Sequence, residues 1–504
     1  MKKFYQEKPL STILIVAFLL RLVSVIFSKG YGMHDDHYLV IEIVQNWIDG
    51  FDEWDYLPNS LRPQNKAGGH ILIYLGFHYY FFQFLELIGI NDPNTKMFII
   101  RFLHALFSLL IVKFAFKITE KVSNIENAKM VGWLLALLWF MPMLSVRNLV
   151  EIVCIPPLLY GTWLIVSNDK KNVLQFLFAG FITTIAFSLR YQTSTFIAAL
   201  GLVIWIQYQF KNAFFYGIGV LLSIFIFQVC IDLAIWGKPF AEFLAYTDYN
   251  VTNAYNYVNG PWYNFILVVG GILIPPVSLF LLYGFVLSWR KHLILFLPAM
   301  VFFVFHSIFP NKQERFILPV VPFIIMAGVI TWNYVKDKYA FLINNKKFIS
   351  GSWKFFWVIN TIVLIALTPS SSKLSRVETM NYLAKQKDFQ TFVFESSNSG
   401  GVLLPRFYLH NWTPYYRITK EENAAFIKKS ISVRKLKLPN YLVLGEADNL
   451  VKRLAPCIKT FGKVTYVATI EQSYLDKFMH WLNPFGNENQ TYYIYKFENP
   501  KQSN

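Results

Sequence analysis

The chain has 504 residues, 55% of them hydrophobic and only 15% charged, with a formal net charge of +17. A water-soluble domain of this size keeps a polar exterior, so the composition excludes an ordinary soluble enzyme and makes the bilayer the solvent. The excess of Lys and Arg lies in short loops between apolar blocks, which reads as membrane topology and implies no nucleic-acid partner.

The chain starts Met1-Lys2-Lys3 ahead of an apolar block at 10–27. Residues 23–30 offer no small-x-small cleavage site, so the block is expected to be an uncleaved signal anchor with its N-terminus in the cytoplasm. Arg21 lies inside this block, either as a functional group or as a side chain snorkelling to the interface. The first span then delivers 29–69, rich in Asp and Glu, to the far side. The segment 70–90 is apolar but carries His70, His78, Gln83 and Glu86. It is expected to lie along or dip into the outer face, because a crossing here would turn every later basic loop outward; the alternative is a twelfth span with an atypical charge rule.

Further apolar blocks begin near Met97, Met130, Leu149, Val173, Thr193, Ala213, Trp262, Leu293, Phe316 and Phe348, giving about eleven spans of bilayer length. With that count the loops containing Lys117/Lys121/Lys129, Lys170/Lys171, Lys211, Arg290/Lys291 and Lys336/Lys338/Lys346/Lys347 all face the cytoplasm. Beyond Thr368 the composition becomes mixed. Strand-like runs at 391–395, 441–444, 464–470 and 492–497 alternate with helical patterns at 375–387 and 421–429. The fold class is therefore a polytopic α-helical membrane protein with juxtamembrane helices in its first outer loop. Residues 1–370 form the transmembrane domain and 371–504 a small extracytoplasmic α/β domain. Cys154, Cys230 and Cys457 form neither a disulfide framework nor a metal-binding spacing.

Two polar stretches could carry chemistry. Gly32-Met33-His34-Asp35-Asp36-His37-Tyr38 sits just beyond the first span, and neighbouring carboxylates there can raise one another's proton affinity and poise one as a general base. The same residues also suit a solvated acidic loop, or a metal site completed from elsewhere. The second stretch, Pro310-Asn311-Lys312-Gln313-Glu314-Arg315-Phe316, places two cations and a carboxylate between apolar blocks. It suits a lipid phosphate, which Arg can bind bidentately, or a structural ion pair of Glu314 with Lys312 or Arg315. Arg147, Asn148 and Glu151 at one turn and Arg190, Tyr191 and Gln192 at another fall on the same outer side. Nucleotides are unavailable there, so an enzyme on that side needs a lipid-carried donor, and sugar transfer from a polyprenyl phosphate fits. The two stretches are expected to meet around one pocket at the outer rim of the bilayer.

On these motifs the sequence resembles the GT-C glycosyltransferases, and among them glycosyltransferase family 22, the dolichol-pathway and GPI-type mannosyltransferases with their bacterial branch. The family's His-Pro-Asp-Glu motif is matched by His34-Asp35-Asp36-His37, with His34 and Asp36 kept and Pro and Glu replaced. Its His-Lys-Glu-Glu-Arg-Phe motif resembles Asn311-Lys312-Gln313-Glu314-Arg315-Phe316. Arg147-Asn148 with Glu151 matches a third region more weakly.

The resemblance implies an inverting transfer of a hexose, commonly mannose, from a polyprenyl-phosphate donor to a hydroxyl of a glycan, lipid or protein. It implies no nucleotide, no cofactor and no required metal. Asp36 would be the base, with Asp35 second or tuning it and His34 and His37 beside them. Lys312 and Arg315, with Arg190, would hold the phosphate, supported by Glu314, Arg147 and Glu151. A lipid-A or protein glycosyltransferase of another GT-C family and a flippase of lipid-linked sugars are the rival readings. The compact loops and the Lys/Ile/Phe/Asn-rich composition favour a bacterial inner membrane.

Overall fold

The computed structural model describes residues 2–54, 56–58, 66–167, 172–398, 402–420, 423–484 and 486–498. Lys170, Lys171, Glu421 and Glu422 lie outside these. The chain divides into two compact units, one of residues 1–25, 52–81 and 100–368, the other of 26–51, 82–99 and 369–504.

The first unit is helical. Among the described residues, six helices are long and apolar enough to cross a membrane: Pro9–Phe27, Pro93–Val122, Val150–Ser167, Phe210–Trp236, Glu314–Val335 and Lys346–Leu367. A seventh crossing arises if Val277–Arg290 and Leu293–Ile308, which meet at 116°, count as one broken span. Each predicted apolar block is helical, but the one begun at Trp262 splits into Asn264–Ile272 and Val277–Leu287, and several others are shorter than the ~20 residues of a full span, such as Ile125–Leu137, Val173–Leu189 and Ser194–Tyr208. Segment 70–90 becomes Leu72–Leu87, sixteen residues long, with His78 fully buried.

Helix Val321–Val335 is buried almost all round, as expected of an apolar helix without a polar face. Small residues let its neighbours approach. A Cβ on Gly284 would run into the carbonyl of Gly328, and one on Gly180 or Gly219 into the carbonyl of Tyr216 or Leu177 on the facing helix. With no hydrophobic effect between helices in lipid, this backbone proximity supplies the attraction. Arg21 does not snorkel. It is fully buried, donates from Nε to Ser108 Oγ at 2.8 Å, and bonds the carbonyl of Ala17.

The second unit is built on a five-stranded mixed sheet. The strands are β1 (Phe392–Glu395), β2 (Tyr416–Ile418), β3 (Tyr441–Gly445), β4 (Val464–Ile470) and β5 (Tyr492–Phe497), in the order β2-β1-β3-β5-β4. Parallel strands β1 and β3 are buried along their whole length, as helix-covered parallel strands are. Four strands match the sequence reading. β2, only three residues long, was not legible.

The first-loop segment belongs to this unit rather than to a transmembrane domain ending at 370. Ser28 Oγ donates to Ser370 O at 2.6 Å, Glu42 accepts from Phe407 N at 3.1 Å, and Asp49 accepts from Trp412 Nε1 at 2.6 Å. The buried carboxylate of Glu42 needs such a donor, and Phe407 supplies it.

Candidate active site

In the first unit, three chain corners bring two guanidinium groups to one carboxylate. Helix Val173–Leu189 ends where Arg190 turns extended at φ −160, and the turn Tyr191–Thr193 leads at once into the next helix. Glu151 lies in the single turn Val150–Val153. Arg315 lies in the 3-10 turn Glu314–Val320 that precedes Val321–Val335. Arg190 Nη1 is 2.6 Å from Glu151 Oε1, and Arg315 Nε is 3.5 Å from the same oxygen. Gln313 Oε1 accepts from Arg315 Nε at 3.0 Å. Both guanidinium groups lie over Phe316, at 4.8 and 5.6 Å from its ring centroid.

Arg190 and Glu151 are almost wholly buried. They pair in a place where an uncompensated ion costs several kcal/mol. Arg190 Nε and Nη2 have no hydrogen-bond partner among the described residues, and neither does Glu151 Oε2. The open donors of Arg190 suit an anion such as a phosphate.

Lys312 is engaged by backbone carbonyls. Its ammonium donates to the carbonyls of His306 at 3.0 Å, Ser307 at 2.8 Å and Phe309, where helix Leu293–Ile308 ends. Three donors on three carbonyls is a helix cap, favoured by the negative end of the helix dipole. Burial lowers its pKa. Glu314 is exposed, while Arg147 and Asn148 are buried.

A latch lies beside this cluster. Glu242 Oε2 accepts from the N–H groups of Gly69 and His70 at 2.6 and 2.7 Å, and its Oε1 accepts from Trp236 Nε1 at 2.9 Å. Gly69 adopts φ +80, and a side chain there would strike Tyr246, so glycine is required. Burial pushes Glu242 up to about 7 and His70 down to about 4.

In the second unit, the acidic stretch forms the short helix His34–His37, continuing through a wide turn at Tyr38–Glu42 into Ile43–Ile48. Asp36 folds back onto its own turn, its Oδ1 accepting from Met33 N at 2.9 Å and its Oδ2 from Gly32 N at 3.2 Å. It is only 5% exposed, whereas Asp35 and His34 face outward. Both oxygens of Asp36 thus hold the backbone of the turn, while Asp35 lies at its surface.

His37 is fully buried, stacked on Tyr31 at 4.7 Å and on Tyr408 at 5.6 Å, with Nε2 3.7 Å from Glu42. Lys373 bonds the carbonyl of Gly32 from outside the turn, and Tyr38 donates to Leu403 O at 2.6 Å. Arg376 stands among Tyr31, Tyr38 and Tyr492. Burial opposes its charge, yet these phenols hold its pKa above the ordinary arginine value.

Thus the structure gathers Arg190, Arg315 and Glu151 in one unit, and His34, Asp35, Asp36 and His37 in the other. The sequence reading missed Glu242, Glu42, Lys373 and Arg376. Only the first two left a trace, as isolated acids inside otherwise apolar segments. Among the described residues no group of three His, Cys, Asp or Glu side chains is placed to hold a metal ion.

Comparison with known proteins gives a consistent result. The model of the Alg9-like mannosyltransferase family matches residues 12–402. GPI mannosyltransferase 3 of Yarrowia lipolytica is 23% identical over 334 residues, covering 63% of this chain and 61% of that protein. The human alpha-1,2-mannosyltransferase ALG9 is 24% identical over 203 residues, covering 36% of this chain and 33% of that one. The match therefore spans less than two thirds of either relative. Among solved structures, ArnT from Cupriavidus metallidurans bound to undecaprenyl phosphate superposes with a TM-score of 0.58 at 12% identity, over 98% of this chain and 99% of that one. Its apo form gives 0.57. At that identity the likeness shows a shared GT-C membrane fold and no more.

Proposed function

The chain belongs to the Alg9-like mannosyltransferase family, and from that premise we propose that it moves a hexose, mannose by family, from a polyprenyl-phosphate donor to a hydroxyl acceptor. The observation that carries this reading is the meeting of two guanidinium groups at one oxygen of Glu151, with donors of the buried Arg190 left open. A phosphate monoester or diester is the anion such a fork fits. The similar ArnT structure holds undecaprenyl phosphate, which makes a lipid-carried phosphate the natural donor chemistry here too.

In the proposed step the acceptor oxygen bonds to the anomeric carbon as the bond from that carbon to the phosphate oxygen breaks, with inversion. The proton of the acceptor hydroxyl passes to Asp35, the outward-facing carboxylate of the first-loop turn. Asp36 holds the backbone of that turn. Negative charge on the departing polyprenyl phosphate is met by Arg190 and Arg315, the electrostatic stabilisation that commonly dominates such transfers. Glu151 fixes both cations, and Lys312 holds the helix end next to them. We assign the reaction to the membrane face opposite a cytoplasmic N-terminus, in a bacterial inner membrane.

The test is turnover by the purified full chain with polyprenyl-phospho-mannose and extracted envelope glycolipids, followed by product mass and linkage analysis. A new glycosidic bond is expected. Donor movement across vesicles without any new bond would identify a translocator. Transfer of a different sugar would place the enzyme with another GT-C specificity. Asp35→Asn is expected to lower kcat by ~10²–10⁴-fold, the usual contribution of a general base, with the fold unchanged. Asp36→Asn is expected to act mainly on stability. If Asp35→Asn turns over at the wild-type rate, Asp35 is not the base.

A further inference from the structure

Helix Tyr474–Leu482 in the second unit breaks the usual rule for a surface helix. Tyr474 is 91% exposed, Trp481 74%, Leu482 55% and Phe478 53%. These positions recur at i, i+4, i+7 and i+8, so they form one apolar stripe about 100° wide, and it points outward instead of into a core. The rings of Phe478 and Trp481 stack at 5.9 Å, so the stripe is a continuous surface. Lys477 is exposed beside it. Tyr and Trp with a flanking Lys is the composition of a helix lying at a lipid headgroup layer.

What covers the stripe follows from where the helix is tied. Its N-cap, Ser473, accepts from Asp476 N at 3.1 Å and donates to the carbonyl of Ser371 at 2.7 Å. Asp476 accepts from Lys373 N at 2.9 Å. Ser371 Oγ in turn donates at 3.0 Å to the carbonyl of Phe27, the last residue of the apolar helix Pro9–Phe27. Lys29 N donates to Ser371 Oγ at 3.1 Å. Ser371 also follows closely on Leu367, the end of the apolar helix Lys346–Leu367. A single residue thus connects the start of the exposed helix to the terminal carbonyl of one span and, along the chain, to the end of another. A nine-residue helix reaches only about 13 Å. The whole stripe therefore stays within reach of the level where those spans leave the hydrocarbon.

We propose that helix Tyr474–Leu482 is an interfacial anchor, with its Tyr474/Phe478/Trp481/Leu482 face seated in the lipid headgroup layer of the membrane that the chain spans. Binding apolar side chains there fixes the C-terminal unit against the bilayer without a further crossing.

The test uses the full-length protein in vesicles of phosphatidylcholine and phosphatidylglycerol, with Cys230→Ser to remove the exposed native thiol. An environment-sensitive fluorophore is placed at Trp481→Cys or Phe478→Cys, and in a third protein at Val451→Cys, an 83% exposed position on another helix of the same unit. A blue-shifted emission at 481 and 478 that is lost when the acyl chains carry bromine or nitroxide is expected. Emission at 481 and 478 that matches the probe at 451 in colour, and that lipid quenchers leave intact, overturns the proposal. A blue shift that appears only at high protein density in the vesicle also overturns it, because the face would then be covered by a second copy. The altered positions are exposed, so neither label disturbs a packed core.

Discussion

Replacing Glu151 by glutamine removes one negative charge from the Arg190–Glu151–Arg315 cluster while keeping its shape. Arg190 approaches the carboxylate to 2.6 Å and Arg315 to 3.5 Å, with side chains 4% and 11% exposed. At such separations and an effective dielectric near 20, the contacts are worth about 6 and about 5 kcal/mol before desolvation. Breaking a buried pair by removing one partner usually costs about 3–5 kcal/mol. Glu151→Gln is therefore expected to melt several degrees below wild type in detergent or nanodiscs. If the two cations receive a phosphate, an added polyprenyl phosphate supplies the missing charge, and mass action restores stability as its concentration rises above Kd. The stabilisation by polyprenyl phosphate should then be larger in Glu151→Gln than in wild type, and absent with the neutral polyprenol. Equal shifts from polyprenyl phosphate and polyprenol, or a smaller shift in the variant than in wild type, would refute the assignment of this cluster to the donor phosphate.

Lys312→Met leaves the carbonyls of His306, Ser307 and Phe309 without their donor. It should lower stability by about 1–3 kcal/mol in thermal melts while leaving the donor KM within about threefold. A KM rise of several tens of fold at unchanged stability would return Lys312 to the phosphate site. Glu242 has a folded pKa of about 7 against the ordinary 4.5 of a glutamate, so the stability it contributes is fully present below the lower value and lost as pH rises through the upper one. Wild type should lose up to about 3 kcal/mol across that window relative to Glu242→Gln, read as a pH-dependent gap in melting temperature. A gap independent of pH would remove Glu242 as the titrating group. Gly180→Leu would drive its side chain into the carbonyl of Tyr216 and should abolish stable extraction, whereas Gly217→Leu, where a Cβ meets nothing nearby, should be tolerated.

How far the sequence could be read depended on the range of each interaction. The membrane class, the position of every apolar block and four of the five strands were legible because hydropathy and period-2 alternation are local properties of the chain. Arg190, Arg315 and Glu151 could be named from their motifs as candidates. Their sharing of one oxygen could not, since it depends on three corners far apart in sequence. The motif put Asp36 ahead of Asp35, yet a single turn of backbone at Gly32 and Met33 engages both oxygens of Asp36 and leaves Asp35 facing outward.

By itself the sequence determined the solvent of this protein, the identity of its charged motifs and the family to which they point, because each rests on composition or on residues adjacent in the chain. Tertiary structure alone decided which charges are engaged and which remain open. Lys312 became a helix cap, Arg21 a buried tether and Glu242 a latch. It also gave the first-loop turn to the unit of the C-terminal sheet. The physical reason is desolvation: a buried ion must find its partner wherever the fold brings one, and that partner is set by three-dimensional proximity, not by spacing along the chain.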